Sequence, residues 1–186
     1  MAAAPAILLT VLVAAAAVFD LQTRRIPNWL CAAGFAVGFA CQITLYRWTG
    51  LREALMGAGL ALLIYVPLFA LHAVGGGDVK LMAAVGAIAG PAAWLGIFLV
   101  TAIVGGAMAL VVIAIKGRTR RTLRNVGVLL KELVHLRAPH RAEEELDVTS
   151  AKGLRLPHGC AIAVGTLLYL AYALGCSISG GTSALR

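Results

Sequence analysis

The chain has 186 residues, 61% of them hydrophobic and only 13% charged, with a mean hydropathy of +0.91. That is far more apolar surface than a soluble domain of this size can bury, which excludes an ordinary water-soluble enzyme and makes lipid the expected solvent. The net charge of +8 does not indicate nucleic acid, because the basic residues flank apolar runs, where they suit lipid headgroups and set topology.

The expected architecture is all-α: a polytopic bundle of six transmembrane helices in one membrane domain, 1–186. The first helix, about 2–19, is Ala-rich but has no basic residue before it, and Arg24 and Arg25 follow it. That charge order suits a retained helix with its amino terminus outside rather than a cleaved signal. The second, about 28–46, is bracketed by Trp29, Tyr46 and Trp48, aromatics of the kind that settle at membrane interfaces. The third covers about 52–72. The apolar stretch from Leu81 to Ile115 is too long for one pass at about 1.5 Å per residue, and Gly90-Pro91 sits where it can fold back. Two passes, about 78–90 and 92–115, are therefore predicted. The first of these is short, so its start is expected in a protein-lined cavity rather than against lipid.

The sizeable loop, about 116–156, begins with an amphipathic pattern. Leu123, Val126, Leu130, Leu133 and Val134 form a stripe, and Arg120, Arg121, Arg124 and Lys131 lie largely off it. A helix resting on the cytoplasmic leaflet is expected there. An acidic cluster follows within 143–147. The last pass, about 157–176, opens with Pro157, which suits a first helical turn because its missing amide would be unpaired anyway.

Of the 16 Lys and Arg residues, all but Arg47, Arg52 and Arg186 fall in the loops after the first, third and fifth helices. Those loops are expected in the cytoplasm and both termini outside. Cys31, Cys41, Cys160 and Cys176 lie within apolar runs without a Cys-x-x-Cys pair, so no disulfide framework, metal site or cofactor is indicated.

Six of the eight acids have ordinary places: Glu53 at a helix start, and Glu132, Glu143, Glu144, Glu145 and Asp147 in the large loop. Asp20 ends an apolar helix and Asp78 begins another, both at the same expected membrane face, where an unpaired carboxylate is costly and usually functional. The bland alternative is that they cap helices or pair with Arg24, Arg25 and Lys80. Asp78 follows Gly75-Gly76-Gly77, and glycines there leave room for an extended peptide to approach. Lys80 is expected either to tune the nearby carboxylate or bind a lipid phosphate, or to serve topology alone.

Three motifs stand in order along the chain: Asp20 with Arg25-Ile26-Pro27-Asn28, then Gly75-Gly76-Gly77-Asp78-Val79-Lys80, then Leu156-Pro157-His158-Gly159-Cys160-Ala161-Ile162-Ala163-Val164-Gly165. In this order they resemble the type IV prepilin peptidase family, the bacterial Gly-x-Gly-Asp intramembrane aspartyl proteases. The resemblance implies that Asp20 and Asp78 form a catalytic dyad, with Gly75, Gly76, Gly77, Lys80, Arg25, Pro27 and Asn28 shaping the site or binding substrate. It implies cleavage of leader peptides from pilin-like precursors, each with a basic leader and an apolar helix, at the cytoplasmic face of the bacterial inner membrane. The 143–147 cluster is the candidate for attracting the basic leader. Larger members carry paired Cys-x-x-Cys motifs that accompany methylation, which this chain lacks, so it resembles the short, peptidase-only branch serving Flp-type pili. The Pro-Ala-Leu motif of presenilin and signal peptide peptidase is also missing.

Two carboxyls suit peptide hydrolysis because one, ionised, takes a proton from water while the other, protonated, donates to the carbonyl oxygen. Close carboxyls resist double ionisation, so such a pair tends to hold one proton. Other classes stay open on the residues alone: an ion- or proton-coupled transporter also uses paired membrane carboxylates, and a non-catalytic assembly subunit of a secretion machine needs neither acid.

Overall fold

The computed structural model describes residues 3–71, 73–115 and 158–183. They form four helices, α1 (Ala3–Thr23), α2 (Asn28–Ala70), α3 (Gly76–Ile115) and α4 (His158–Ser183). Each is long and apolar enough to cross a bilayer, so the all-α, membrane-type architecture holds. The count of six separate helices is not matched. Breaks do occur at the two expected reversals, but each takes a single non-helical residue, Arg47 in α2 (φ 53°, ψ −126°) and Gly90 in α3 (φ 75°, ψ 168°). No loop opens at either point, and the result is four helices, two of them sharply bent.

The bends are true chain reversals. Trp94 Nε1 donates to the Met82 carbonyl at 3.1 Å, although twelve residues separate them and an unbroken helix would hold them about 18 Å apart. At Gly90 the left-handed backbone costs glycine little, and Pro91, which has no amide hydrogen to lose, starts the next segment. At the break, Gln42 Nε2 donates to the Ile88 carbonyl at 2.7 Å and so satisfies an acceptor at the segment's end. The other reversal places a positive φ on Arg47, costing an L-residue about 1–2 kcal/mol, and brings Gly50 against the Gln42 backbone.

The first segment of α3 is the centre of the bundle. Leu81, Met82, Ala84, Val85, Ala87 and Ile88 are all essentially buried, and a helix apolar and buried all round belongs inside a bundle rather than on its surface. Trp94 is also fully buried, stacked on Phe98 with Tyr65 edge-on to both. Outward-facing residues such as Ile7, Leu63 and Ile103 remain exposed, as a lipid-facing surface requires.

Residues 1–105 with 157–186 form one compact unit, and 106–156 a second. Within the second, only 106–115, the end of α3, are among the described residues. The expected cytoplasmic amphipathic helix, the acidic 143–147 cluster and Pro157 lie outside them.

Candidate active site

Asp20 lies inside the last turn of α1, which runs on to Thr23 rather than ending before the acid as the sequence suggests. Asp78 is the third residue of α3. Both are buried, at 8% exposure each, and Asp78 lies within electrostatic reach of Asp20. Two acids remote in the chain are therefore close enough to interact electrostatically.

Their surroundings differ. The amides of Asp78 and Val79 donate to the Gly75 carbonyl, and the Gly75 amide donates back to Asp78 Oδ2 at 3.1 Å. This is the returning half of a capping box, with Gly75 at the N-cap. The bland reading of Asp78 as a helix cap is thus correct for one oxygen. It does not extend to Asp20, whose Oδ2 is buried with no hydrogen-bond partner among the described residues. Leaving a buried polar atom unpaired costs about 1–3 kcal/mol, so such an atom calls for a role.

What brings α4 to Asp20 is Gly159. A methyl group there would stand 2.9 Å from Asp20 Oδ2, 3.0 Å from its Cβ and 3.1 Å from its Cγ. One residue on, Cys160 Sγ points at the Ala17 carbonyl of α1 at 3.9 Å. The first turn of α4 therefore abuts the Asp20 carboxyl, and the positive end of that helix dipole faces the acid, as the first turn of α3 does for Asp78. Gly159→Ala is expected to push α4 off α1 and displace Asp20, lowering any activity that depends on that carboxyl at least about tenfold while helix content stays unchanged. Circular dichroism and an activity assay on the purified variant check this; unchanged activity would show that the tight packing is irrelevant to the site.

The other expected site residues divide by task. Gly77 sits on Ile26, where a methyl would come to 3.3 Å of its Cβ, and Gly76 lies beside Phe69. Lys80 Nζ donates to Asn28 Oδ1 at 2.9 Å, tying the start of α3 to the start of α2. Pro27 is the extended N-cap of α2 (φ −63°, ψ 136°), its carbonyl accepting from the Leu30 and Cys31 amides. Arg25 is exposed in the α1–α2 turn, where its carbonyl accepts from Thr23 Oγ1 at 3.0 Å.

Four neighbours escaped the sequence reading as site residues. His158 and buried Tyr65 lie within electrostatic reach of Asp78, Cys31 within reach of Asp78 and Lys80, and Cys160 within reach of Asp20. His158 and Cys160 belong to the third motif, so their arrival at the site was open to inference. Nothing in the spacing of Cys31 or Tyr65 marks them. Among the described residues, no group of three His, Cys, Asp or Glu side chains is placed to hold a metal ion.

A family model described as the type IV leader peptidase family matches residues 7–110, more than half of the chain, taking in both Asp20 and Asp78 but not α4. No curated protein and no solved structure matches.

Proposed function

The chain belongs to the type IV leader peptidase family, and on that premise we propose that Asp20 and Asp78 are the catalytic pair of an aspartyl endopeptidase that removes leaders from Flp-type pilin precursors. The observation that carries this reading is the convergence of two buried carboxyls from separate helices, one of them with an oxygen that has no partner among the described residues. An atom in that condition is suited to exchanging a proton with a reactant rather than to holding the fold together.

In the proposed reaction, the ionised member of the pair takes a proton from a water molecule as its oxygen attacks the scissile carbonyl carbon. The protonated member donates to the carbonyl oxygen, giving a neutral tetrahedral diol. Collapse breaks the carbon–nitrogen bond, the departing nitrogen gains a proton from the pair while a diol hydroxyl returns one to it as the carbonyl re-forms, and the dyad is left with the single proton it began with. At Gly75, where a methyl would meet only the Asp78 carboxyl within 4 Å, an approach remains for the extended cleavage segment. The precursor's apolar helix lies against the bundle in lipid, and its basic leader is held from the cytoplasm, with the 143–147 cluster as the attracting group.

Each of the bent helices α2 and α3 crosses the membrane twice, giving six passes, because a straight helix of 43 residues would extend about 65 Å against a core of about 30 Å. The positive-inside distribution then sets both termini outside and the dyad at the cytoplasmic face of the inner membrane.

The test is cleavage of a purified Flp-type precursor by the full chain reconstituted in lipid vesicles. A single cut that releases the leader is the expected product, and it should persist within about twofold in excess EDTA, because the two carboxyls activate water without a metal ion. No cleavage, or cleavage that EDTA abolishes and a divalent cation restores, would overturn the dyad mechanism.

A further inference from the structure

His158 is the first residue of α4, directly before the Gly159 that seats against Asp20, and is partly buried. Its Cε1 would lie 3.9 Å from a methyl placed on Gly105 of α3, so the ring sits between the two helices rather than out in lipid. Helices α1, α3 and α4 thus bring Asp20, Asp78 and this imidazole to one end of the bundle. We propose that His158 is a positioning residue of the site, its cationic form, beside the Gly159 that packs on Asp20, balancing the charge of the carboxyl pair. The inference rests on the catalytic reading of Asp20 and Asp78.

Electrostatics support the placement, since His158 is among the groups that Asp78 feels. Beside Asp20 and Asp78 themselves, the described groups within electrostatic reach of one or both include Cys31 and Tyr65 from α2 and Cys160 from α4, with Lys80 from α3 in reach of Cys31. Lys80 is engaged with Asn28. Thiols and phenols ordinarily stay uncharged below about pH 8. Among these described groups, His158 is the one outside the pair whose side-chain type ordinarily changes charge between about pH 5 and 8. Positive charge beside a carboxyl pair favours its singly ionised form, the form that hydrolysis uses.

The experiment compares the full-length wild type, His158→Gln and His158→Lys in lipid vesicles on one Flp-type precursor, with kcat and KM measured across about pH 5 to 8. His158→Gln is expected to lower kcat roughly tenfold with KM nearly unchanged and to flatten the pH profile. His158→Lys, which keeps a cation at the position throughout, is expected to recover most of kcat while also flattening the profile. Unchanged kcat and profile in His158→Gln would overturn the proposal. So would equal losses in both variants accompanied by a fall in thermal stability, which marks a purely structural role, or a rise in KM alone, which marks substrate contact. Asp78→Asn run alongside separates the two readings: if it leaves cleavage intact the dyad itself fails, whereas its inactivity beside fully active His158 variants overturns only the present inference.

Discussion

Asp20→Asn and Asp78→Asn are each expected to reduce precursor cleavage by about 10³-fold or more, since in the proposed mechanism each removes one of the two groups that exchange protons in the same step. The amide is the informative substitution because it separates capping from catalysis. In Asp78→Asn the side chain would retain an oxygen able to accept the Gly75 amide that Asp78 Oδ2 now accepts at 3.1 Å, so the start of α3 stays capped. At position 20, asparagine matches the volume between α1 and Gly159. Thermal stability should therefore change by no more than about 1 kcal/mol in either variant while activity disappears. Asp78→Ala, by contrast, should lose activity and also about 1 kcal/mol of stability through the lost cap. The double Asn variant should be about as inactive as either single one, because the two groups act as a unit. Cleavage surviving in either single variant would remove the basis for a dyad.

The second large effect concerns the fold that holds the carboxyls in place. Gly57 of α2 and Gly86 of α3 meet backbone to backbone: a methyl on either one would run into the other's carbonyl. In an isolated helix, Gly→Ala gains about 1 kcal/mol of propensity. Here the neighbour is main chain, which cannot rotate aside as a side chain can, so the helices would have to separate, and overpacking costs about 1–3 kcal/mol or more. Loss of packing should win. Gly57→Leu or Gly86→Leu is expected to abolish accumulation of folded protein, and Gly57→Ala to lower the thermal midpoint clearly in detergent. A control at Gly59, where a methyl would meet nothing within 4 Å, should be neutral or slightly stabilising. If Gly57→Ala proved as stable as Gly59→Ala, close approach of these two helices would not be holding the bundle together.

Much of this was accessible from the residues because the physics behind it is one-dimensional. Solvent class follows from the apolar fraction, and reversal at Gly90-Pro91 follows from a glycine free to take positive φ beside a residue with no amide hydrogen. Asp20 and Asp78 stand out because carboxylates beside long apolar runs carry an energetic penalty wherever the helices pack. The reversal at Arg47 was placed correctly in position but not in kind, since a loop was expected where the backbone turns on one strained arginine. Local propensity does not favour that geometry, so only tertiary contact, such as that of Gly50 with the Gln42 backbone, can impose it.

The residues themselves determined a membrane-embedded helical peptidase with two conspicuous acids, because composition, hydrophobic length and motif order are properties of the chain before it folds. The tertiary structure alone decided that α4 seats Gly159 on Asp20, that one Asp78 oxygen is spent on a helix cap while an Asp20 oxygen lacks any described partner, and that Tyr65 and Cys31 come within electrostatic reach of Asp78. Such features depend on which side chains from different helices share a small volume of low dielectric, and contacts between distant segments leave no periodic trace in the sequence.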